Sequence, residues 1–543
     1  MSRRGTEPEA MMSWPLTIAS LMRWAERHAP DSTIAAVDDD TSEVRRSTYR
    51  AAFERVHRLA NALRRAGVRA GDRVATVAWN TQPHFELYYA VSCLGAVLHT
   101  VNPRLEASQL EYVIRHGGAE IVFVDPLARD LLDRLQPLFP AVRQWITLGR
   151  AAAPRWATYE DFIQGHAAEA AWPALDEGAA AALCYTSGTT GEPKGVLYTH
   201  RSTVLHALIS QSANAMAFTR DDVVLPVVPM YHVMAWGTPY SAVMAGATLV
   251  LPGHRAGHAA FLADLIDSAG VTVALGVPTV WLGVLQHLRE SGRRLKTLRR
   301  VIVGGAACPP ALMDALAVEA GITVQHAWGM TELSPLGTFN RNAPGGAASA
   351  TGKPYSQGQA VFGVELRVVD GDGRERAFDG HAQGRLQVRG PAVCAGYFQS
   401  DDRSSFHEGW FDTGDVATIG ADGHMRITDR AKDVIKSGGE WISSVELENV
   451  ASRHPAVLQA AAIAVPNDKW GERPWVVVVR KDGAAVSEQE IRHWFVGKVA
   501  HWAEPDRVVF AAALPLTATG KVSKRALRDQ YGTALAPDGA SHG

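Results

Sequence analysis

Thr186-Ser187-Gly188-Thr189-Thr190-Gly191-Glu192-Pro193-Lys194-Gly195 follows the apolar run Ala181-Ala182-Leu183-Cys184-Tyr185, so a loop rich in glycine and hydroxyl residues leaves a predicted buried strand. That juxtaposition suits phosphate. Glycines let backbone N–H groups approach an anion closely. Ser and Thr add short hydroxyl donors, Lys194 adds a positive charge, and Pro193 stiffens the turn before it. Composition alone also allows a solvated linker. A Walker A loop is excluded, because the sixth residue counted from Gly188 is Pro193 where that motif requires Gly.

Outward from the loop, apolar strands alternate with helices. Residues 47–69 place Phe53, Val56, Leu59, Ala60 and Leu63 at helical spacing, and a second helix is predicted over 82–94. Val74-Ala75-Thr76-Val77-Ala78, Ala119-Glu120-Ile121-Val122-Phe123-Val124, Thr248-Leu249-Val250-Leu251, Val271-Thr272-Val273-Ala274-Leu275 and Arg300-Val301-Ile302-Val303-Gly304-Gly305 read as strands. Such alternation predicts an α/β fold of parallel-rich sheets covered by helices. Over 363–388 shorter strands with the turn Asp370-Gly371-Asp372-Gly373 predict a small antiparallel, β-barrel-like part. After Asp429 the texture changes to a small mobile α+β unit, with a helix over 443–452 and strands at Ala461-Ala462-Ile463-Ala464-Val465 and Trp475-Val476-Val477-Val478-Val479. The expected division is 1–431 and 432–543. No internal repeat is evident, and low complexity is confined to Ala-rich patches such as 179–182.

A chain of 543 residues exceeds one compact core. Its composition, 47% hydrophobic and 20% charged, is that of a globular protein, and a net charge of −2 gives no electrostatic reason to expect nucleic acid. Cys93, Cys184, Cys308 and Cys394 are scattered without a CxxC pair, which argues against a disulfide framework or zinc site and for free thiols in the cytoplasm. Residues 1–12 lack the apolar core of a signal peptide. Residues 223–253 contain no Asp, Glu, Lys or Arg, but Pro226, Pro229, His232, Gly237, Pro239 and Gly246 interrupt them. Buried core and substrate pocket are expected there, not a transmembrane segment. Peripheral membrane contact stays open.

The loop, read from Tyr185 to Val196, resembles the leading motif of the adenylate-forming superfamily, which includes acyl-CoA synthetases, peptide-synthetase adenylation domains and luciferases. Further motifs follow in that family's order up to Lys524. Trp328-Gly329-Met330-Thr331-Glu332 resembles the second ATP motif, with Trp where Tyr is usual. In isolation the pentapeptide reads as a solvated turn, although Glu332 beside a hydroxyl residue suits a hard cation. The resemblance implies that Thr331 contacts the α-phosphate, that Glu332 and Thr186 hold Mg²⁺, and that Trp328 offers an aromatic face to adenine. His326 and Ala327 join that nucleotide set. Gly304 and Gly305, otherwise a tight turn, would line the adenine and acyl sites. Gly409-Trp410-Phe411-Asp412-Thr413-Gly414-Asp415 resembles the motif whose last Asp binds the ribose hydroxyls, with Asp412 where Arg is frequent.

Asp429-Arg430-Ala431-Lys432-Asp433-Val434-Ile435-Lys436-Ser437-Gly438-Gly439-Glu440-Trp441 reads plainly as a charged linker and a glycine turn. By resemblance Arg430 contacts the nucleotide, Lys432 is the hinge about which the small domain rotates, Gly438 and Gly439 pass the arm of coenzyme A, and Trp441 lies near the nucleotide. Pro515-Leu516-Thr517-Ala518-Thr519-Gly520-Lys521-Val522-Ser523-Lys524 resembles the closing motif, which makes Lys521 the catalytic cation. A lone lysine in a polar loop is otherwise merely solvated.

The implied reaction joins a carboxylic acid to coenzyme A with ATP, through an acyl adenylate. Val228-Pro229-Met230-Tyr231-His232-Val233-Met234-Ala235-Trp236-Gly237-Thr238-Pro239-Tyr240 is expected to form an acyl wall, with His232, Val233, Trp236 and Gly305 against the substrate and no Arg or Lys to pair a second carboxylate. The closest resemblance, in this wall and in Ser437-Gly438-Gly439-Glu440-Trp441-Ile442-Ser443-Ser444, is to bacterial medium- and long-chain fatty acyl-CoA synthetases, where an indole at the Trp236 position gates an alkyl tunnel. A related branch acts on methylthiopropionate and short acids. A medium- to long-chain fatty acid is therefore the expected substrate, and short, methylthiopropionate or cinnamate-type acids are the alternatives. A non-catalytic acyl- or nucleotide-binding relative would show damage at Glu332, Asp415, Arg430 or Lys521, and none is damaged. Dimers occur among similar proteins, so a homodimer is consistent with the resemblance.

Overall fold

A computed structural model describes residues 11–38, 41, 43–149, 155–186, 192–341, 355–438, 440–517 and 520–532. The predicted helix over 47–69 runs as Tyr49–Arg65, because Thr48 caps it by accepting the Ala51 N–H. Residues Val44–Thr48 instead form an edge strand against Thr33–Val37. The five apolar residues read from its spacing are all buried.

Two large sheets make up most of the N-terminal domain. The first has the order Ala157–Thr158, Gln144–Thr147, Ile121–Val124, Arg73–Val77, Val97–Val101, Ala180–Tyr185, Gly195–Thr199. It is parallel throughout except for the last pair. The second has nine strands, with Thr323–Gly329, Arg300–Val303, Val273–Gly276, Val223–Pro226, Thr248–Leu251 and Thr33–Val37 parallel in the middle and antiparallel strands at both edges. Parallel strands buried on both faces explain their unbroken Val, Ile, Leu and Ala runs. Helix Gln82–Cys93 is buried along almost its entire length.

The antiparallel part is a sheet of five strands. Glu365–Val369, Gly384–Arg389, Trp410–Ile419 and Met425–Arg430 pair in turn, and Phe406–His407 adds to Trp410–Ile419. This five-stranded antiparallel sheet is the part read from the sequence as β-barrel-like, and an isolated bridge from Gly358 to Met425 links it to the nine-stranded sheet's neighbourhood. The smaller C-terminal domain has its own sheet around Val457–Asn467 and Gly471–Arg480, covered by helices Ser444–Ser452, Glu488–Phe495 and Lys524–Tyr531. Met425–Arg430 still pairs in the large domain and Ile435–Ser437 in the small one, so the chain crosses between them over 431–434.

Residues 223–253 contain strand Val223–Pro226, turn Val233–Gly237, helix Thr238–Ala245 and strand Thr248–Leu251, nearly all buried. Among the described residues no helix is long and apolar enough to cross a membrane.

Candidate active site

The loop that opened the sequence reading joins two antiparallel neighbours, with Tyr185 opposite Gly195. It is thus the tip of a hairpin, where a strand-to-loop exit was predicted. Its neck is closed by the Thr186 N–H donating to the Lys194 carbonyl at 2.9 Å and the Lys194 N–H donating to Thr186 Oγ1 at 3.1 Å. Ser187, Gly188, Thr189, Thr190 and Gly191 lie outside the described residues. Lys194 Nζ is 2.9 Å from Asp402 Oδ2 and 4.6 Å from the centre of the Tyr397 ring.

A cavity of about 1240 Å³ opens beneath this neck between the two domains. Its walls bring together Thr186, Lys194, His232, Val233, Trp236, Gly304, Gly305, His326, Ala327, Trp328, Thr331, Glu332, Asp415, Arg430, Lys432 and Lys521, from segments far apart in sequence. The structure does not bring Trp441 or Gly438 there. Trp441 is 49% exposed on the small domain. Gly438 has φ +60°, and a Cβ on it would lie 2.7 Å from Trp470 Cε3, so glycine is required by the turn and by the indole above it. Gly439 lies outside the described residues.

Asp415 anchors one side. It is 1% exposed, and its Oδ1 lies 2.7 Å from Arg430 Nε while its Oδ2 accepts the Trp328 indole N–H at 2.9 Å. Burial pushes its carboxyl above the usual range, and Arg430 and the Trp328 bond oppose that rise. The Trp328 indole N–H thus serves Asp415, a contact the sequence did not suggest. Its ring is packed so tightly over Gly337 that a Cβ there would lie 2.4 Å away.

Glu332, in the same cavity wall, is 6% exposed, and the Tyr397 hydroxyl donates to its Oε1 at 2.9 Å. Burial raises its carboxyl, opposed by hydrogen bonds and by the charges of Arg430 and Lys194. The Thr331 carbonyl accepts from the Tyr198 hydroxyl at 2.6 Å. Among the described residues no group of three or more His, Cys, Asp or Glu side chains could hold a metal ion. A single buried carboxylate instead fits a hard cation held jointly with phosphates and water.

The segment expected to form the acyl wall contains a feature the sequence does not announce. Val233, Met234, Ala235 and Trp236 have φ of +49°, +52°, +49° and +56°, and Gly237 follows at +71°. This left-handed turn costs about 1–2 kcal/mol per residue, so its surroundings must hold it. His206 packs beneath Gly237, where a Cβ would lie 2.6 Å from its Nδ1. The turn lays the Trp236 indole against the glycine pair, such that a Cβ on Gly304 would lie 3.1 Å from Trp236 Cη2. A Cβ on Gly305, at φ +78°, would lie 3.5 Å from Lys521 Cε. Any larger residue at these positions would fill the space between indole and lysine. His232 is held neutral, its pKa pushed down to about 3 by burial and then by Lys521.

The small domain is docked so that Lys521 reaches this floor. Thr279 Oγ1 donates to the Gly520 carbonyl at 3.0 Å. Asp429, just before the crossover, accepts the Ser444 N–H at 2.6 Å and hydroxyl at 2.9 Å, and Lys524 Nζ bridges Ser444 Oγ and Glu448 Oε1 at 2.5 and 2.7 Å. Lys432 stands exposed in the crossover itself. Tyr397, Asp402, Tyr198, Trp470 and the Asp429–Ser444–Lys524 network were not found from sequence. Their polar groups matter only through partners brought close by folding.

Residues 21–398 match the family model for AMP-binding enzymes, and 446–521 match that for the AMP-binding enzyme C-terminal domain. The chain belongs to the AMP-binding enzyme family. It is 46% identical to a 3-methylmercaptopropionyl-CoA ligase of Ruegeria lacuscaerulensis, over 97% of this chain and 99% of that one. It is 44% identical to a medium-chain-fatty-acid–CoA ligase of Ectopseudomonas oleovorans, over 97% and 98%. Among solved structures, an anthranilate CoA ligase in complex with anthranoyl-AMP superposes with a TM-score of 0.88 at 25% identity, covering 96% of this chain and 99% of that one.

Proposed function

We propose that this protein is an ATP-dependent acid–thiol ligase whose acid is an apolar monocarboxylate of short to medium length, joined to coenzyme A. In the first step a carboxylate oxygen attacks the α-phosphorus and the bond to pyrophosphate breaks. In the second the thiol sulfur attacks the acyl carbonyl, the bond to AMP breaks, and the thiol proton is released. Loop 186–194 holds the departing phosphates through its N–H and hydroxyl donors and Lys194. Asp415 accepts from the ribose hydroxyls, Arg430 and Thr331 contact the nucleotide, and Gly304, Gly305, His326 and Ala327 border it. Glu332 and Thr186 would hold Mg²⁺, which supplies charge neutralisation at the phosphates. The crossover at Lys432 serves as the hinge between 1–431 and 432–543. Gly438 and Gly439 reach coenzyme A only after a domain rotation, which accounts for the distance of Gly438 from the cavity.

Lys521 stabilises the charge that develops as carboxylate and α-phosphate meet. Burial, with Arg430 and Lys432, pushes its pKa down to about 8 against the pull of Asp415 and Glu332. The useful cationic form is present below that value and is lost as pH rises through it. The expected result is an alkaline fall in kcat/KM for adenylation centred near pH 8, since this ratio reports the free enzyme. In Lys521→Arg the fall should move beyond the accessible range, because guanidinium stays charged. A limb that stays near pH 8 in that variant would assign it elsewhere.

The observation that carries the choice of acid is the Trp236 indole lying against Gly304 and Gly305 at the end of a stiff left-handed turn. It narrows the apolar wall of the cavity beside the glycine pair. The similarity to a methylmercaptopropionyl-CoA ligase supports a short acid. A medium-chain fatty acid, at the upper end of that range, is supported by the relative acting on such acids and requires Trp236 to move aside. The test is a panel from acetate to palmitate with 3-(methylthio)propionate and cinnamate, read as CoA-dependent AMP release. Each buried methylene contributes about 0.8 kcal/mol, about fourfold per carbon, until the acyl space is full. The expected optimum lies at short to medium acids, and Trp236→Ala should raise relative activity on palmitate at least about tenfold. A wild-type optimum on palmitate or cinnamate would overturn the choice.

A further inference from the structure

Segment 394–402 is a strap that ties the two phosphate-handling motifs together by backbone and by side chain. The Cys394 N–H donates to the Glu332 carbonyl at 2.8 Å, and the Phe398 N–H donates to the Gly195 carbonyl at 2.8 Å. Between these two ties stands Tyr397. Its hydroxyl donates to Glu332 Oε1 at 2.9 Å, and its ring lies 4.6 Å beneath Lys194 Nζ. The ring is itself fixed by Phe406, centre to centre 5.7 Å at 73°. Asp402, further along the strap, takes the other side of the Lys194 ammonium at 2.9 Å. One side chain thus touches both the cation of the loop and the carboxylate of the second motif.

We infer that Tyr397 is a positioning residue for nucleotide binding, which holds the Glu332 carboxylate at the metal–phosphate position through its hydroxyl and sets Lys194 over its ring. The inference rests on the proposed ATP chemistry of the cavity. Its logic is geometric. Glu332 lies on a short turn after Gly329 and is buried, so without the Tyr397 hydroxyl its carboxylate would keep only the bond to its own backbone N–H. A hydrogen bond to a charged group contributes about 1.5–3 kcal/mol, roughly a factor of ten or more. A cation over an exposed ring contributes about 0.5–1 kcal/mol, a factor of a few. The two halves are separable by substitution. Tyr397→Phe keeps the ring and removes only the hydroxyl, whereas Tyr397→Leu removes both.

The experiment measures ATP binding by calorimetry, with Mg²⁺ and with EDTA, for wild type, Tyr397→Phe, Tyr397→Leu, Glu332→Ala and the Tyr397→Phe/Glu332→Ala double variant. Tyr397→Phe should weaken binding at least about tenfold with Mg²⁺ and less than about twofold in EDTA. Tyr397→Leu should add a loss of a few-fold in EDTA. In the double variant the Tyr397→Phe effect should vanish, since its partner is already gone. Additive losses in the double variant, or equal losses with and without Mg²⁺, would overturn the inference and leave Tyr397 a packing residue. Wild-type binding with Tyr397→Phe unchanged overturns the inference alone. Wild type that binds no ATP overturns the reading of the cavity and the inference with it.

Discussion

Lys521→Ala is expected to lower acid-dependent ATP–pyrophosphate exchange by at least about 10²-fold, the size typical of losing one preorganised electrostatic group. The small domain delivers this lysine to the glycine floor, within van der Waals reach of where Gly305 would carry a Cβ. Its charged form is disfavoured by burial, Arg430 and Lys432 and favoured by Asp415 and Glu332. This arrangement is already built around charge that appears only when the reactants arrive. Thioester formation from supplied acyl adenylate and coenzyme A involves no attack on phosphorus, so it should stay within about threefold of wild type, well short of the 10² expected for adenylation. Near-normal exchange in Lys521→Ala would refute the assignment, and equal loss in both half-reactions would show a structural role.

Asp415→Ala should raise the KM for ATP by about 10- to 100-fold, with kcat changed less. Two donors, Arg430 Nε and Trp328 Nε1, converge on this carboxylate inside the cavity wall. Removing the acceptor leaves both without a partner and deletes the proposed ribose contact, each hydrogen bond to a charged group being worth about 1.5–3 kcal/mol. Asp415→Asn keeps one carbonyl oxygen and should fall between. A KM for ATP within about twofold of wild type in folded Asp415→Ala protein would contradict the ribose role. Circular dichroism distinguishes that outcome from unfolding.

Much of the scaffold was readable because its signals are local. Helix Tyr49–Arg65 follows from five apolar residues at helical spacing, and its start was misjudged only because Thr48 ends an edge strand and caps the helix at once. Strand Thr248–Leu251 was read to the residue. Residues 223–253, whose interruptions argued against a membrane span, fold as two strands, a turn and a short helix. What was not readable depends on partners distant in sequence. Gly195–Thr199 pairs back on Ala180–Tyr185, which turns the loop into a hairpin tip, and nothing in the loop itself demands that. Val233 to Trp236 adopt a left-handed turn that no propensity predicts for such residues, since a Cβ disfavours positive φ. The Trp328 indole bonds Asp415, and the Tyr397 hydroxyl bonds Glu332, across 87 and 65 positions of sequence. Resemblance identified which motifs meet. Only the fold shows that the small domain is docked with Lys521 inward and Gly438 outward.

The most direct test of the acyl-adenylate account is the fate of the carboxylate oxygen. A short apolar acid carrying ¹⁸O in its carboxyl group is turned over with ATP and coenzyme A, and the phosphorus-containing products are analysed by mass spectrometry. If a carboxylate oxygen attacks the α-phosphorus and leaves with it when the thiol attacks, one ¹⁸O appears in AMP and none in pyrophosphate. Label in inorganic phosphate, with ADP as the nucleotide product, would place the attack at the γ-phosphorus and contradict the account.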